Sequence, residues 1–251
     1  MTEKIAVISG ATGGIGAAVA KRLGQEGYTL ILNGRDREKG LALVSQLQSD
    51  KVTAEFAAFD ITNESEVNQS LQEIGEKYGH IDCVINNAGG LGGRSPIESM
   101  STEFYRSVMA LNMDSAFYLS RAAIPYLKKS DYGAIINNTS NAAWNGGGPG
   151  AGIYGVSKAA VHAFTRALAK ELAPYGIRVN AVSPGTIDTP FHEQIKATKP
   201  EVFASWKNNI LLNRLGQPEE VASVIAFLVS KDASFITAET IQIGGGQALG
   251  I

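Results

Sequence analysis

Seven short aliphatic runs that alternate with helical patterns constrain the fold more than any other feature of this sequence. Most of the runs are apolar at consecutive positions, as expected of strands that are covered on both faces. The alternation predicts one α/β domain over residues 1–251, built on a doubly wound parallel sheet of about seven strands flanked by helices. The predicted strands lie at residues 5–8, 30–32, 52–57, 83–85, 134–136, 179–182 and 240–243. The predicted helices lie at residues 14–24, 36–48, 63–78, 101–129, 150–173 and 218–230.

The composition limits the partners that this chain can have. Its formal net charge is −2, so there is no basic excess to bind nucleic acid or an anionic membrane. Its single cysteine, Cys83, cannot form an internal disulfide, which fits a reducing compartment. We see no signal-peptide pattern and no apolar run of membrane-spanning length, so we expect a cytoplasmic protein. The three histidines lack the spacing of metal ligands, so we expect no metal site.

The first predicted strand runs directly into the glycine-rich segment SGATGGIG, residues 9–16. Gly10, Gly14 and Gly16 follow the spacing GxxxGxG, and a predicted helix begins there. Glycine lets the backbone turn sharply and approach a pyrophosphate, which then lies against free N–H groups at the helix start. A simple strand-to-helix turn could show the same spacing. Because the segment opens the first strand–helix unit, it predicts a dinucleotide site.

The end of the second predicted strand bears on the choice of cofactor. Asp36 would suit the ribose of NAD, but a helical pattern follows it, so we interpret it as a helix N-cap. Gly34 then occupies the usual carboxylate position, and Arg35 stands where a guanidinium can meet a 2′-phosphate. We favour NADP(H) and keep NAD(H) as the alternative. The other interpretation of Arg35 is a solvated surface arginine.

Tyr154 and Lys158, in the segment YGVSK, are four residues apart and therefore share one face of a predicted helix. Taken alone, the pair fits a core tyrosine beside a surface lysine. In the whole sequence it belongs to a larger pattern, and the chain resembles the short-chain dehydrogenase/reductase family over nearly its whole length. That family has a Rossmann-type fold. The resemblance rests on Ser9-Gly10, Gly14-Ile15-Gly16, Asp60-Ile61, Asn86-Asn87-Ala88-Gly89, Asn112, Ser140, Tyr154, Lys158, Pro184-Gly185 and Thr189.

The resemblance implies a catalytic tetrad of Asn112, Ser140, Tyr154 and Lys158. Tyr154 would be the general acid or base, and the Lys158 cation would lower its pKa from about 10 by ~1–3 units. Lys158 would also hold the nicotinamide ribose. Ser140 would hydrogen-bond the substrate oxygen, and Asn112 would hold a water that connects Lys158 to solvent. Three alternatives stay open: Ser140 could be only a strand-end hydroxyl, the neighbouring Thr139 could take its place, and Asn112 could be a helix-kink residue.

The resemblance also implies cofactor contacts along the chain. Asp60 and Ile61 would flank the adenine, residues 87–89 would line the adenosine ribose, residues 184–189 would cover the nicotinamide, and Thr12 would share the 2′-phosphate with Arg35. The full set is Gly10, Thr12, Gly14, Ile15, Gly16, Arg35, Asp60, Ile61, Asn87, Ala88, Gly89, Tyr154, Lys158, Pro184, Gly185, Ile187 and Thr189.

Residues 190–213 interrupt the strand–helix alternation and predict a substrate lid. Within or near this segment, His192, Trp206 and Trp144 are candidates for contact with the substrate. Ordinary packing is the alternative for each of them.

The expected function is an NADP(H)-dependent oxidoreductase that transfers hydride between the nicotinamide and a ketone or secondary alcohol. The substrate stays open between 3-oxoacyl groups of the acyl-carrier-protein type and sugar or uronate ketones. A catalytically inactive dinucleotide-sensing protein is the competing class, and the intact Tyr154–Lys158 pair argues against it. By resemblance we expect a homotetramer or homodimer with contacts through residues 101–129 and 150–173.

Overall fold

Seven parallel strands form the centre of the structure, a computed structural model that describes residues 3–247. Their order across the sheet is β3-β2-β1-β4-β5-β6-β7. The predicted doubly wound parallel sheet is therefore confirmed, with β1 between β2 and β4 at the point where the strand order reverses. The strands are β1 (Lys4–Ile8), β2 (Tyr28–Gly34), β3 (Ala54–Ala58), β4 (Cys83–Asn86), β5 (Ala134–Asn138), β6 (Arg178–Pro184) and β7 (Thr240–Ile243).

Helices cover both faces of this sheet. In the described part of the chain the α-helices are α1 (Gly14–Gln25), α2 (Arg37–Ser49), α3 (Glu64–Tyr78), α4 (Thr102–Met109), α5 (Ser115–Leu127), α6 (Ala142–Asn145), α7 (Gly152–Leu172), α8 (Glu193–Thr198), α9 (Pro200–Ser205) and α10 (Pro218–Val229). A π-helix covers Ala110–Asp114. Short 3-10 helices cover Ile97–Ser99, Ala173–Tyr175, Pro190–His192, Trp206–Asn209 and Lys231–Ala233.

The consecutive apolar residues of β1 divide between two hydrophobic cores. Ala6 and Ile8 are buried with α1, α2 and α10, whereas Ile5 and Val7 are buried with α3, α5 and α7 on the opposite face. Side chains of a strand alternate between faces, so a strand that is covered on both sides is apolar throughout. This is why the uninterrupted aliphatic runs predicted the strands well.

Two helix boundaries follow from local chemistry that is visible in the sequence. Asp36 is the N-cap of α2, as predicted, because its carboxylate accepts a hydrogen bond from the Lys39 N–H at 3.0 Å. At α10, which begins with Pro218, the Glu220 carboxylate accepts a hydrogen bond from the N–H of the N-cap residue Gln217 at 2.8 Å.

The predicted helix at residues 101–129 differs from the structure in one respect. It is divided into α4 and α5 by the π-helix that contains Asn112. A π-helix turn is wider than an α-helix turn, and such turns often occur at functional sites. The periodicity of the apolar residues did not indicate the interruption.

Within residues 3–247, no helix is long and apolar enough to cross a membrane. In the same range, no group of three or more histidine, cysteine, aspartate or glutamate residues could hold a metal ion.

Gly16 sets the distance between α1 and the loop after β1. A Cβ at this position would lie 2.2 Å from the Gly10 carbonyl oxygen, a backbone atom that cannot turn aside. We expect Gly16→Ala to lower the melting temperature by about 2–12 °C in the cofactor-free protein, since overpacking of this kind costs about 1–3 kcal/mol. Differential scanning calorimetry measures the change. Gly13→Ala is the matched control, because a Cβ there meets nothing within 4 Å. Equal melting temperatures for the two variants would contradict this account.

Candidate active site

The loops that follow β1, β4, β5 and β6 border one cavity at the carboxyl edge of the sheet, with a volume of about 960 Å³. Crevices at this edge are where ligands bind in open α/β sheets. Most of the predicted site residues line this cavity: Gly10, Gly14, Ile15, Asn87, Ala88, Gly89, Ser140, Tyr154, Lys158, Pro184, Gly185, Ile187 and Thr189. The predicted residues that do not line it are Thr12, Gly16, Arg35, Asp60, Ile61 and Asn112.

The glycine loop brings bare backbone to the cavity. Gly10 and Gly14 have φ angles of +60° and +52°, a region that favours glycine. A Cβ on Gly10 would lie 2.9 Å from the Ala88 Cα, so the loops after β1 and β4 can touch only because this residue has no side chain. Gly13, the N-cap of α1, provides no side-chain hydrogen bond to the first turn. The exposed N–H groups of that turn fit a dinucleotide pyrophosphate.

Arg35 lies at the other end of the sheet edge, directly after β2. A Cβ on Gly34 would lie 2.9 Å from the Thr12 Cγ2, so Thr12 occupies the space that a longer side chain would need. Asp36 is held by α2, and its hydrogen bond from Lys39 lowers the pKa of its carboxyl group. Arg35 is exposed. The N-cap role predicted for Asp36 is confirmed, and the role of Arg35 in cofactor choice stays a prediction.

Asp60 and Ile61 follow β3 at the same end of the edge. The Asp60 carboxylate accepts hydrogen bonds from the N–H and hydroxyl of Thr62, at 2.9 and 2.8 Å. These bonds, together with the charge of Arg35, lower the pKa of Asp60. Ile61 is buried in the core on the α3 side of the sheet.

The Asn87 side chain joins the ends of three strands. Its Nδ2 donates to the carbonyl oxygens of Ser9 and Gly10, at 3.2 and 3.0 Å, and its Oδ1 accepts from the Asn138 amide at 2.9 Å. The Ser9 hydroxyl oxygen accepts from the N–H groups of Asn87 and Ala88, both at 3.0 Å. The glycine loop is therefore held in place by side chains that follow β1, β4 and β5.

Ser140, rather than Thr139, lies beside Tyr154. The Thr139 hydroxyl is buried and donates to the Val182 carbonyl oxygen at 2.8 Å, which removes it from the cavity chemistry. The Ser140 hydroxyl is close enough to the Tyr154 phenol to lower its pKa. The segment between Ser140 and Tyr154 contains α6 and the glycine-rich turn that follows it, residues 146–150.

Lys158 lies one helical turn after Tyr154 on α7. Its side chain is 3% exposed, and its Nζ donates to the Asn138 carbonyl oxygen at 2.8 Å. Burial lowers the pKa of the ammonium group to about 8. Burial also raises the pKa of the Tyr154 phenol, and the Ser140 hydrogen bond opposes that rise.

The direction of the Tyr154 shift differs from the expectation that Lys158 lowers this pKa. Low polarity penalises the charged forms of both groups, so the phenol pKa rises while the ammonium pKa falls. The Lys158 Nζ is turned to the Asn138 carbonyl and lies 5.9 Å from the centroid of the Tyr154 ring. In this arrangement desolvation outweighs the attraction between the ammonium group and a phenolate.

Asn112 is buried in the π-helix and bonded to the loop after β4. Its Oδ1 accepts from the Gly90 N–H at 3.0 Å, and its Nδ2 donates to the Gly90 and Val108 carbonyl oxygens, both at 2.9 Å. A Cβ on Gly89 would lie 2.7 Å from the Asn112 Oδ1 and 2.8 Å from the Lys158 Nζ. Gly89 is thus the point where the Asn112 and Lys158 side chains come together. The position in a distorted helix fits the helix-kink interpretation, and the water-holding role stays a prediction.

Residues 190–209 form short helices, and several of their side chains line the cavity. His192 and Trp206 are among them, with ring centroids 5.2 Å apart. Trp144 does not line the cavity, contrary to one of the two interpretations made from the sequence. It stacks edge-on against His162 at 4.8 Å and donates its indole N–H to the Ser183 hydroxyl at 3.2 Å.

Sequence reasoning missed some residues of the cavity wall. Asn138 joins Asn87 to Lys158, and its side-chain Oδ1 is buried with no hydrogen-bond partner. Arg94, Lys199 and Gln247 also line the cavity. None of the four lies in a recognisable motif. The one available signal was the position of Asn138, a polar residue at the end of an otherwise aliphatic strand.

Comparisons with known proteins extend over nearly the whole chain. A family model described as enoyl-(acyl carrier protein) reductase matches residues 10–248. A 3-oxoacyl-acyl-carrier-protein reductase from Thermotoga maritima is 35% identical over 243 residues, which cover 97% of this chain and 97% of that protein.

Solved structures with similar folds extend over the same length. An NADH-dependent reductase responsible for alginate metabolism aligns with a TM-score of 0.88 and 35% identity, over 98% of this chain and 97% of its own. An actinorhodin polyketide ketoreductase variant with NADPH aligns with a TM-score of 0.92 and 29% identity, over 98% and 97% of the two chains.

The burial of Lys158 predicts a pH-dependent gain in stability when its charge is removed. The pKa falls from 10.5 to about 8 on folding, so the folded protein carries the penalty fully below pH 8 and loses it as the pH rises toward 10.5. We expect Lys158→Met to raise the free energy of unfolding at pH 7 by about 1–3 kcal/mol, after the lost hydrogen bond to Asn138 is allowed for. Urea unfolding of the cofactor-free protein at pH 7 and about pH 9.5 measures the gain, which should shrink at the higher pH.

The matched control for this prediction is Lys170→Met, an exposed lysine on the same helix. It should change the free energy of unfolding by less than about 0.5 kcal/mol at either pH. If Lys158→Met were less stable than the parent at pH 7, the hydrogen bond would outweigh desolvation and the prediction would be wrong.

Proposed function

The chain belongs to the short-chain dehydrogenase/reductase family and is an NAD(P)-dependent dehydrogenase/reductase, and on this premise we propose that it transfers hydride between NADP(H) and a ketone or secondary alcohol. One observation carries the proposal. The Tyr154 phenol lies with Ser140, one turn from the buried Lys158, in the cavity that the glycine loop borders. An inactive dinucleotide sensor would need the loop but not this group of side chains.

Tyr154 is proposed as the general acid for reduction and the general base for oxidation. The bound nicotinamide gives or takes the hydride at the carbonyl carbon. Tyr154 correspondingly gives a proton to the substrate oxygen or takes it back. Ser140 donates a hydrogen bond to the same oxygen and stabilises the negative charge that develops there. A phenol of raised pKa is protonated at neutral pH, so this resting form suits carbonyl reduction.

Lys158 and Asn112 are proposed to serve the proton supply. With a pKa near 8, the Lys158 ammonium group can release and regain a proton close to neutral pH. Its approach to Gly89 brings it next to Asn112, which would hold the water that links it to solvent. Lys158 would also bind the nicotinamide ribose, for which its Nζ has hydrogens beyond the one given to Asn138.

The preference for NADP(H) is proposed from the groups after β2. Arg35 is an exposed guanidinium at the end of that strand, and its charge acts on the Asp60 carboxylate. Thr12 lies against the preceding Gly34, and the Asp36 carboxylate is held by α2. A guanidinium fits a phosphate well and gives a ribose hydroxyl no comparable partner. The similar structures include one with NADPH and one described as NADH-dependent, so both cofactors occur on this scaffold.

Three further features belong to the proposal. Residues 190–213 would act as the substrate lid, since Phe191, His192 and Trp206 line the cavity. A homotetramer or homodimer would form through exposed apolar side chains on α5 and α7, among them Phe117 and Val156. The protein would work in the cytoplasm. The two substrate subclasses, 3-oxoacyl groups and sugar or uronate ketones, are separated by the experiment below.

Removal of the Tyr154 hydroxyl tests the chemistry. We expect Tyr154→Phe to lower kcat by about 10²–10⁴-fold while the dissociation constant for NADPH stays within about threefold, because only the proton transfer is lost. The assay follows NADPH absorbance with a panel of 3-oxoacyl thioesters, keto sugars, keto uronates and diketones. Tyr175→Phe, an exposed tyrosine outside the cavity, is the matched control. Binding of NADPH without turnover of any carbonyl or alcohol by the parent protein would favour the sensor instead.

Arg35 tests the choice of cofactor. We expect Arg35→Ala to weaken NADPH binding by about 10–100-fold, the loss of a charged hydrogen bond to the 2′-phosphate, with NADH binding nearly unchanged. Titration calorimetry with both cofactors gives the ratio. Arg37→Ala, an exposed arginine in the first turn of α2, controls for the loss of a surface charge. A parent protein that binds NADH more tightly than NADPH would overturn this interpretation of Arg35.

A further inference from the structure

The cavity wall carries cationic groups without acidic ones. Its ionisable side chains are Arg94, Tyr154, Lys158, His192 and Lys199. Among the described residues that line it, none is an aspartate or a glutamate. This is a local bias, because the chain as a whole has a net charge of −2. A cleft lined by one sign of charge concentrates ligands of the opposite sign.

Arg94 is held on one side of the cavity by the loop that leads into α7. Its Nη1 donates to the Pro149 carbonyl oxygen at 2.7 Å, and the following Ser95 N–H donates to the Gly150 carbonyl oxygen at 2.9 Å. A Cβ on Gly150 would lie 3.1 Å from the Arg94 Cβ, so the two loops are in close contact. No carboxylate within residues 3–247 pairs with Arg94, and its Nε and Nη2 donors remain for another acceptor. That free edge of the guanidinium matches a bidentate anion.

Lys199 borders the cavity from the lid. It lies at the junction of α8 and α9, where its N–H donates to the Ile195 carbonyl oxygen at 2.8 Å and its carbonyl accepts from Phe203. The neighbouring Lys196 is paired with Asp188, which neutralises the carboxylate after β6. In the part of the chain that the structure describes, Lys199 has no acidic partner.

We propose that the substrate is a small carbonyl compound with an anionic oxygen group, a carboxylate or a phosphate, which Arg94 and Lys199 bind. The inference rests on the proposed function, since it assigns the substrate class of the same site. Neither cation belongs to the glycine loop: Arg94 lies in the loop after β4, and Lys199 lies between α8 and α9. The cofactor pyrophosphate is matched by the first turn of α1, so these two side chains are left for the substrate.

An acidic carrier protein is a different occupant for the same charges, and the structure disfavours it. Arg94 and Lys199 line the cavity and are also exposed, so a folded carrier would have to reach them from the outer surface. The outer surface of the lid helices carries exposed Glu193 and Glu201, which would repel an acidic partner. A small anion that enters the cavity meets the cations without meeting these carboxylates.

The experiment compares matched substrates. Keto acids and keto uronates are each paired with their methyl esters, and phosphorylated ketones with the unphosphorylated forms. All are offered with both nicotinamides to the full-length protein and to Arg94→Gln, Lys199→Gln and the control Lys207→Gln, a lid lysine that does not line the cavity. We expect the charged member of a pair to have the higher kcat/KM. We also expect Arg94→Gln to reduce that preference by about 10–100-fold and Lys199→Gln by a smaller factor. Lys207→Gln should keep the preference for the charged substrate. The dissociation constant for NADPH should be the same in all three variants as in the parent protein.

The outcomes separate this inference from the proposed function. Tyr154-dependent turnover with no preference for charged substrates would overturn the inference and leave the proposed function standing. So would a preference that survives in both Arg94→Gln and Lys199→Gln. Arg94→Gln and Lys199→Gln could also lose activity only with carrier-linked substrates and keep it with free thioesters. That result would assign the two cations to carrier docking and overturn the inference. No turnover of any carbonyl or alcohol would overturn both.

Discussion

The contact between the ends of β1 and β4 is the constraint on which the rest of the site depends. Gly10 touches Ala88, and Asn87 donates two hydrogen bonds to Ser9 across the gap, one from its N–H and one from its side-chain amide. These contacts place the start of α1 at the switch point of the sheet, where its free N–H groups face the cavity. A side chain at Gly10 or Gly16 would push the loops apart, so the site requires glycine at both positions. Asn138, at the end of β5, extends the same network, because its amide donates to Asn87 and its carbonyl oxygen accepts a hydrogen bond from Lys158.

Burial makes the charged forms of Lys158 and Tyr154 electrostatically unfavourable. The Lys158 ammonium group is almost fully buried with one carbonyl partner, and the Tyr154 phenol is held where ionisation is penalised. Groups in such surroundings carry perturbed pKa values, which is common where proton transfer occurs. The consequence is that folding stability is reduced at the residues on which the proposed chemistry depends. Strand pairing and two apolar cores supply the stability that tolerates this loss.

The sequence predicted the sheet, most helices and the cap at Asp36 because each rests on a local rule. Consecutive aliphatic residues mark a strand covered on both faces, and an acidic residue before a helix caps it. The site was predictable where motif residues follow strands, as at Gly10, Asn87 and Ser140. Other features depend on contacts between distant segments. The π-helix at Asn112 is stabilised by Gly90, and the role of Asn138 requires Asn87 and Lys158 to lie beside it. The shift of the Tyr154 pKa depends on burial, which spacing along a helix does not reveal.

The charged groups of the cavity show why substrate class is harder to infer than reaction class. The groups proposed for proton transfer lie at strand ends and on α7, so the sheet fixes their geometry. Arg94 and Lys199 lie in loops, held by backbone contacts to Gly150 and Ile195 rather than by strand register. Loops can exchange their side chains without disturbing the sheet or the glycine loop. A similar chain can therefore keep the same proton chemistry and bind a neutral ketone instead, provided that these two cations are replaced. On the proposed assignment, the substrate class of this protein depends on the cavity residues that the shared framework constrains least.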